Sequence, residues 1–139
     1  MTSTLTSPSM TAAQIGSKLY RLSAILYAAS IIGHTKHGFD KVYPAIDAIP
    51  ARKEHEVGKG AAIGGWDYIN ASLLVAALLN WDWARSLRPR TLEDKLVIYT
   101  LSVAGALWSI RFVKVKTYLA LVPLFIAPSC SLAASVLKP

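Results

Sequence analysis

Apolar and polar positions along this chain fall in long blocks rather than in a short-period alternation. Four blocks are apolar: Leu22–Gly33, Ala61–Trp83, Leu96–Ile110 and Tyr118–Leu137. The fourth has twenty residues and no charge, enough for a helix to cross the roughly 30 Å hydrocarbon core of a bilayer. Pro123 and Pro128 lie inside it and predict a kink, since membrane helices tolerate proline where neighbours satisfy the freed carbonyls. The second block is bracketed by Trp66 and Tyr68 at one end and Trp81 and Trp83 at the other, as expected of a helix meeting both interfaces. The third follows Thr91-Leu92-Glu93-Asp94, where Thr91 can cap and the carboxylates favour the positive end of the helix dipole. The first block has only twelve residues, about 18 Å of helix. It spans only if Lys18 and Arg21 snorkel at one end and the helix runs on past His34 at the other.

These blocks predict an all-α fold, an antiparallel four-helix transmembrane bundle with helices near residues 19–38, 61–83, 93–112 and 118–137. Ala24, Ala28, Ala71, Ser72, Ser102, Gly105 and Ala106 are the candidates for its inner seams, because small residues let membrane helices approach closely. Residues 1–14, rich in Ser and Thr, are expected to form a flexible tail, and residues 15–139 a single membrane domain. Thr35–Gly60 holds nine charged residues with Pro44 and Pro50, and is expected to be a long polar loop with short interfacial helices. Four spans place both termini on one side, and the dense basic loop at Arg85–Lys95 favours the cytoplasmic side.

Composition sharpens the class. The chain is 53% hydrophobic and only 17% charged, with mean hydropathy +0.39. A soluble domain is nearer about 45–50% apolar and about 25% charged, and this balance excludes a disordered tail or a solvated linker protein. The net charge of +7 sits beside the apolar blocks, at Lys18 and Arg21, at Arg85, Arg88, Arg90 and Lys95, and at Arg111, Lys114 and Lys116. That placement fits lipid headgroups, and with no reader motif beside the charge no nucleic-acid partner is expected. The lone Cys130 allows no internal disulfide. A cleaved signal peptide ending near Ala28-Ala29-Ser30 and a mitochondrial presequence are the competing readings of the N-terminal part. The expected location is an integral, multi-pass one, with the endoplasmic reticulum favoured.

Candidate chemistry lies in two short stretches. In Gly33-His34-Thr35-Lys36-His37-Gly38-Phe39-Asp40, His34, His37 and Asp40 fall three apart and would share one helical face. Such a row suits proton transfer, since imidazole titrates near neutrality and a carboxylate orients it. The alternative is an interfacial helix end whose imidazoles meet headgroups. The histidines of a zinc protease would stand four apart around a glutamate, and this run has neither feature, so no metal or cofactor is expected. In Gly64-Gly65-Trp66-Asp67-Tyr68-Ile69-Asn70, Asp67 and Asn70 fall near one face. Antiparallel helices would bring His34, His37, Asp67 and Asn70 to one pocket, which Arg111 could join as an anion contact. Asn70-Ala71-Ser72 is a glycosylation sequon, but it lies within a span where no transferase reaches.

The layout around GHTKHGFDKVYPAI and GGWDYINASLLVAALLNW resembles small fungal multi-pass membrane proteins, some encoded near secondary-metabolite genes. More loosely it is similar to DoxX-like and anthrone-oxygenase-like four-span proteins. The resemblance implies a bundle in the bilayer and a lipophilic small-molecule partner, and carries no residue roles over. Two classes of function follow. One is a membrane-embedded enzyme, with His34 or His37 as base and Asp67 or Asp40 as acid or orienter. The other is a non-catalytic scaffold, assembly factor or small transport subunit. A lipid-accessible pocket lined by these side chains would favour the first, and outward-facing histidines around a core without a cavity the second.

Overall fold

A computed structural model describes residues 11–137. Every element among them is helical. Helix α1 spans Ala12–His37 and begins on a capping box, Thr11 accepting from the Gln14 backbone N–H while the Gln14 side chain accepts from that of Thr11. Of the expected N-terminal tail, residues 1–10 lie outside the described part. Positions 11–14 are already the cap and first turn of α1.

The long polar loop is the largest departure from the sequence reading. The chain stays helical through a wide π-helical turn at Gly38–Val42 and a short helix α2, Tyr43–Asp47. Only residues 48–52 interrupt it before α3, Lys53–Ser86. Pro44 does not break the chain because it falls where the ladder passes from the π turn into α2, so the hydrogen bond it cannot make is lost at a point where the pitch already changes. Pro50 sits in the true break. The added turns of α3 carry Glu54 and Glu56 in the first turn, against the dipole. Helix α3 ends at Leu87, which holds a left-handed φ of 66°.

Helix α4 spans Leu92–Lys114 and starts on a second capping box, in which Asp94 reaches back to the Thr91 backbone and Thr91 accepts from Asp94. The fourth apolar block is not one regular helix. A 3-10 turn at Tyr118–Ala120 and a π-helical segment at Val122–Ile126 precede α5, Ala127–Val136. Pro123 lies in the π segment and Pro128 in the first turn of α5, so both prolines sit where the hydrogen-bond ladder changes pitch.

Three helical stretches are long and apolar enough to cross a membrane: Lys53–Ser86, Leu92–Lys114 and Tyr118–Val136. Helix α1, the first of the four expected spans, is not among them. Lys18, Arg21 and its Ser, Gly and Thr positions dilute its apolar block.

The core is thin and runs along α1. One cluster joins Tyr20, Trp83, Ala84, Ile98 and Ala134, and a second joins Tyr27, Leu73, Ala76, Ala77 and Ala127. Leu78, Val103, Leu107 and Ile110 face outward, the exposed apolar belt that a lipid-facing surface presents. Hydrogen bonds fix the pairing. Ser17 near the start of α1 donates to the Ala84 carbonyl near the end of α3 at 2.8 Å, and His34 near the end of α1 meets Asn70 in the first half of α3 at 3.1 Å. Ser23 of α1 donates to the Ala127 carbonyl at 2.8 Å, and Ser102 of α4 to the Pro128 carbonyl at 3.3 Å. Of the expected seam residues, Ala24 and Gly105 are buried and Ser102 and Ala106 half-buried, whereas Ala28, Ala71 and Ser72 are exposed.

Candidate functional site

The chemistry predicted from sequence gathers at the end of α1. Helix α3 presents a row at Trp66, Asn70, Leu73, Ala77, Asn80 and Ala84, spaced alternately four and three, and this row lies against its neighbours. Its first two members build the site. The Trp66 indole stacks on the His34 ring, with centroids 3.9 Å apart and planes 14° from parallel. Asn70 Oδ1 lies 3.1 Å from His34 Nδ1. An amide oxygen only accepts, so the contact is a hydrogen bond in the tautomer that carries its proton on Nδ1 and leaves the lone pair on Nε2. Nε2 is buried and has no hydrogen-bond partner among the described residues.

Gly38 makes the stack possible. A Cβ there would come within 2.6 Å of Trp66 Nε1, so the indole occupies the space that any side chain would need. His37 is half-buried, with its ring 6.0 Å from Trp66.

Next to these rings lies a cavity of about 410 Å³. Tyr27, Gly33, His34 and His37 of α1 line one side, and Trp66, Leu73 and Ala76 of α3 another. Leu101, Ala104, Gly105, Trp108 and Phe112 of α4 and the irregular segment from Leu119 to Leu124 close it. The size falls within the range of small-molecule sites, about 300–1,000 Å³, and the walls are mostly apolar. Non-α backbone at membrane depth is tolerated only where protein covers it or a cavity adjoins it, and the segment Val122–Leu124 meets that condition.

The five sequence-predicted residues divide. His34 and His37 line the cavity, and Asn70 stands behind His34 and holds it. Asp67 does not line it. Its carboxylate is exposed and accepts a hydrogen bond from the Tyr43 hydroxyl, which tethers α2 to α3. That bond holds the Tyr43 proton above its ordinary range. The physical reason is angular: Trp66 and Asn70 lie about 40° apart around the helix, while Asp67 lies about 60° to one side of Asn70. Asp40 is exposed on the π turn and pairs with Lys36, whose ammonium holds the carboxyl below its usual range. Arg111 is not an anion contact for the cavity; its guanidinium lies 5.6 Å from the Trp108 ring centroid. Among the described residues, no three His, Cys, Asp or Glu side chains gather in one place.

Sequence reasoning missed the far wall. The row Leu101, Gly105, Trp108 and Phe112, spaced four, three and four, marks one face of α4, and Pro123 marks the irregular segment opposite. Read together, the two could have indicated an internal surface. No family model matches the chain, and no curated protein or solved structure was found to be similar to it.

Proposed function

We propose that this chain is a multi-pass membrane protein, an antiparallel four-helix bundle, that takes a lipophilic small molecule into the cavity beside His34 and acts on it by acid–base chemistry. One observation carries the reading: a buried imidazole nitrogen with a free lone pair, on a ring held by Asn70 and Trp66, at the wall of an apolar cavity of about 410 Å³. Such a nitrogen, shielded from water and fixed in one tautomer, is suited to accept a proton from a bound molecule. In this reading His34 is the base, Asn70 orients it, and His37, one helical turn on, relays the proton outward. Asp67 and Asp40 serve the connecting turns through Tyr43 and Lys36. A lipophilic secondary metabolite, the partner class implied by the sequence resemblance, has the character that these walls accept. A scaffold would need neither the cavity nor the oriented ring, and a transport subunit would need the cavity but not the ring.

The test is genetic and chemical. Lipid extracts of a deletion strain are profiled after complementation with the wild type, His34→Ala, His37→Ala and the control Asp40→Asn. General-base catalysis contributes about 10²–10⁴-fold, so His34→Ala should reproduce the deletion profile at normal protein level, and Asp40→Asn should restore it. Normal products from both histidine variants would overturn the catalytic reading.

A further inference from the structure

Four buried side-chain polar atoms lack a partner among the described residues, and two of them belong to cavity residues, His34 Nε2 and Trp66 Nε1. Trp66 Nε1 lies against Gly38, where even a Cβ would come within 2.6 Å, so a ligand has no room there. His34 Nε2 is left as the buried polar point beside the cavity, which a ligand completes by displacing the side chains that cover it. The hydroxyls of Ser30 and Ser72, which also line the cavity, donate to carbonyls of their own helices, at Leu26 (2.7 Å) and Tyr68 (3.3 Å).

The complementary group on a ligand is therefore a donor. Its charge follows from the surroundings. A carboxylate would bring a second lone pair against that of Nε2. An ammonium would need an anion, and the nearby carboxylates of Asp67 and Asp40 are engaged by Tyr43 and Lys36 outside the cavity. A neutral hydroxyl meets the site without either conflict. The remainder of the molecule faces Trp66, Trp108, Phe112, Leu73 and Leu124, which favour a compact, ring-bearing apolar body.

Resting on the cavity reading above, the geometry points to a hydroxyl-bearing lipophile as the ligand, its O–H donated to His34 Nε2 and its apolar body lying along Trp66 and Trp108. A ligand without the hydroxyl leaves Nε2 buried and unsatisfied, and affinity falls accordingly. Asn70 is a positioning residue: without its oxygen the ring is free to carry its proton on Nε2, and the site would then call for an acceptor.

Two probes of matched shape test this: 2-naphthol, which can donate, and 2-methoxynaphthalene, which cannot. Each is titrated calorimetrically into the full-length protein in lipid nanodiscs, with empty nanodiscs subtracted. We expect 2-naphthol to bind about tenfold more tightly. In His34→Phe, which keeps a ring against Trp66 but removes the lone pair, the ratio should fall to about one. ¹⁵N spectra of the wild-type histidine rings give a readout independent of any variant. The His34 proton should sit on Nδ1, and 2-naphthol alone should shift Nε2. Equal affinities in the wild type, or a proton found on Nε2, would overturn the hydroxyl assignment while leaving a binding cavity in place. Failure of both probes to bind, or binding unaffected by the cavity-filling Ala104→Phe, would overturn the cavity reading itself and the assignment with it.

Discussion

At the scale of single residues, two glycines decide whether the site can form. A Cβ on Gly38 would meet Trp66 Nε1 at 2.6 Å and the Tyr43 ring at 3.3 Å, both side-chain atoms. A Cβ on Gly105 would meet the Leu124 carbonyl oxygen at 1.9 Å, which is backbone. Side chains can swing aside and a packed backbone cannot, so the two substitutions should differ. Gly38→Ala should cost about 1–3 kcal/mol and displace the indole from His34, seen as a shift in Trp emission. Gly105→Ala should cost more, because α4 and the π segment must separate; a melting temperature equal to the wild type would refute the close approach. A second pair of residues sets the response to pH. Tyr43 holds its proton above the ordinary 10.0 because it donates to Asp67. That contact contributes in full below pH 10 and fades as pH rises through the raised value. Asp40 stays ionised below the ordinary 3.8 through Lys36, so its contact is lost only as pH falls through the lowered value. In Asp67→Asn the Tyr43 ring carbon shift should titrate near the ordinary pH again, while that of the wild type titrates higher. His34 is legible from the dense polar run that follows the first apolar block, and Asn70 because a polar residue inside an apolar block has few other roles. Trp66 was read as an interface anchor because hydropathy cannot tell an indole that meets headgroups from one that stacks on a histidine.

At the scale of elements, a buried chain of small polar groups joins three helices. Ser23 of α1 and Ser131 of α5 lie 2.8 Å apart, Ser131 donates to Asn80 Oδ1 of α3 at 2.6 Å, and Asn80 Nδ2 donates to the Ala76 carbonyl at 2.9 Å. All three side chains are buried. In hydrocarbon such bonds have no water to fall back on, though their measured net worth is modest. Ser131→Ala leaves the Asn80 oxygen without its donor and should cost about 1–2 kcal/mol, read from thermal unfolding. Adding Asn80→Leu to Ser131→Ala should cost less than the sum of the two single changes, since the first removes the partner of the second. Additive losses would show that the two side chains act separately. The same scale shows where hydropathy misled. It located α4 and its cap well, because Thr91 and Asp94 are a local signal. It missed the first turns of α3 because Lys53, Glu54, Glu56 and Lys59 form a helix with no apolar stripe to detect. Pro44 reads as a breaker in the sequence, yet the π turn before it absorbs the missing hydrogen bond and the chain stays helical.

At the scale of the whole molecule, α1 is the open element, since among the described residues only α3, α4 and the Tyr118–Val136 stretch are long and apolar enough to cross a membrane on their own. Its contacts argue that it crosses with them. From Ser17 on Ala84 to His34 on Asn70, α1 follows α3 for about 21–26 Å, much of the thickness of the hydrocarbon core. Its polar residues are matched to that path: Ser17 and Ser23 bond neighbouring helices, and Lys18 and Arg21 lie near the end where cationic side chains reach headgroups. On the proposed four-span reading α1 is carried across beside α3, and the cavity is bordered by four helical segments within the bilayer. Labelling decides the matter. In a Cys130→Ser background, single cysteines replace Thr11, Val57, Arg88 or Lys116, and a membrane-impermeant maleimide is added to sealed vesicles of known orientation. Four spans require Thr11→Cys to label together with Arg88→Cys from the cytoplasmic side, and Val57→Cys with Lys116→Cys from the other. A helix α1 lying along the surface would instead put Thr11→Cys with Val57→Cys. In that outcome His34 would stand at the membrane surface, and the cavity beside it would open to water rather than to lipid.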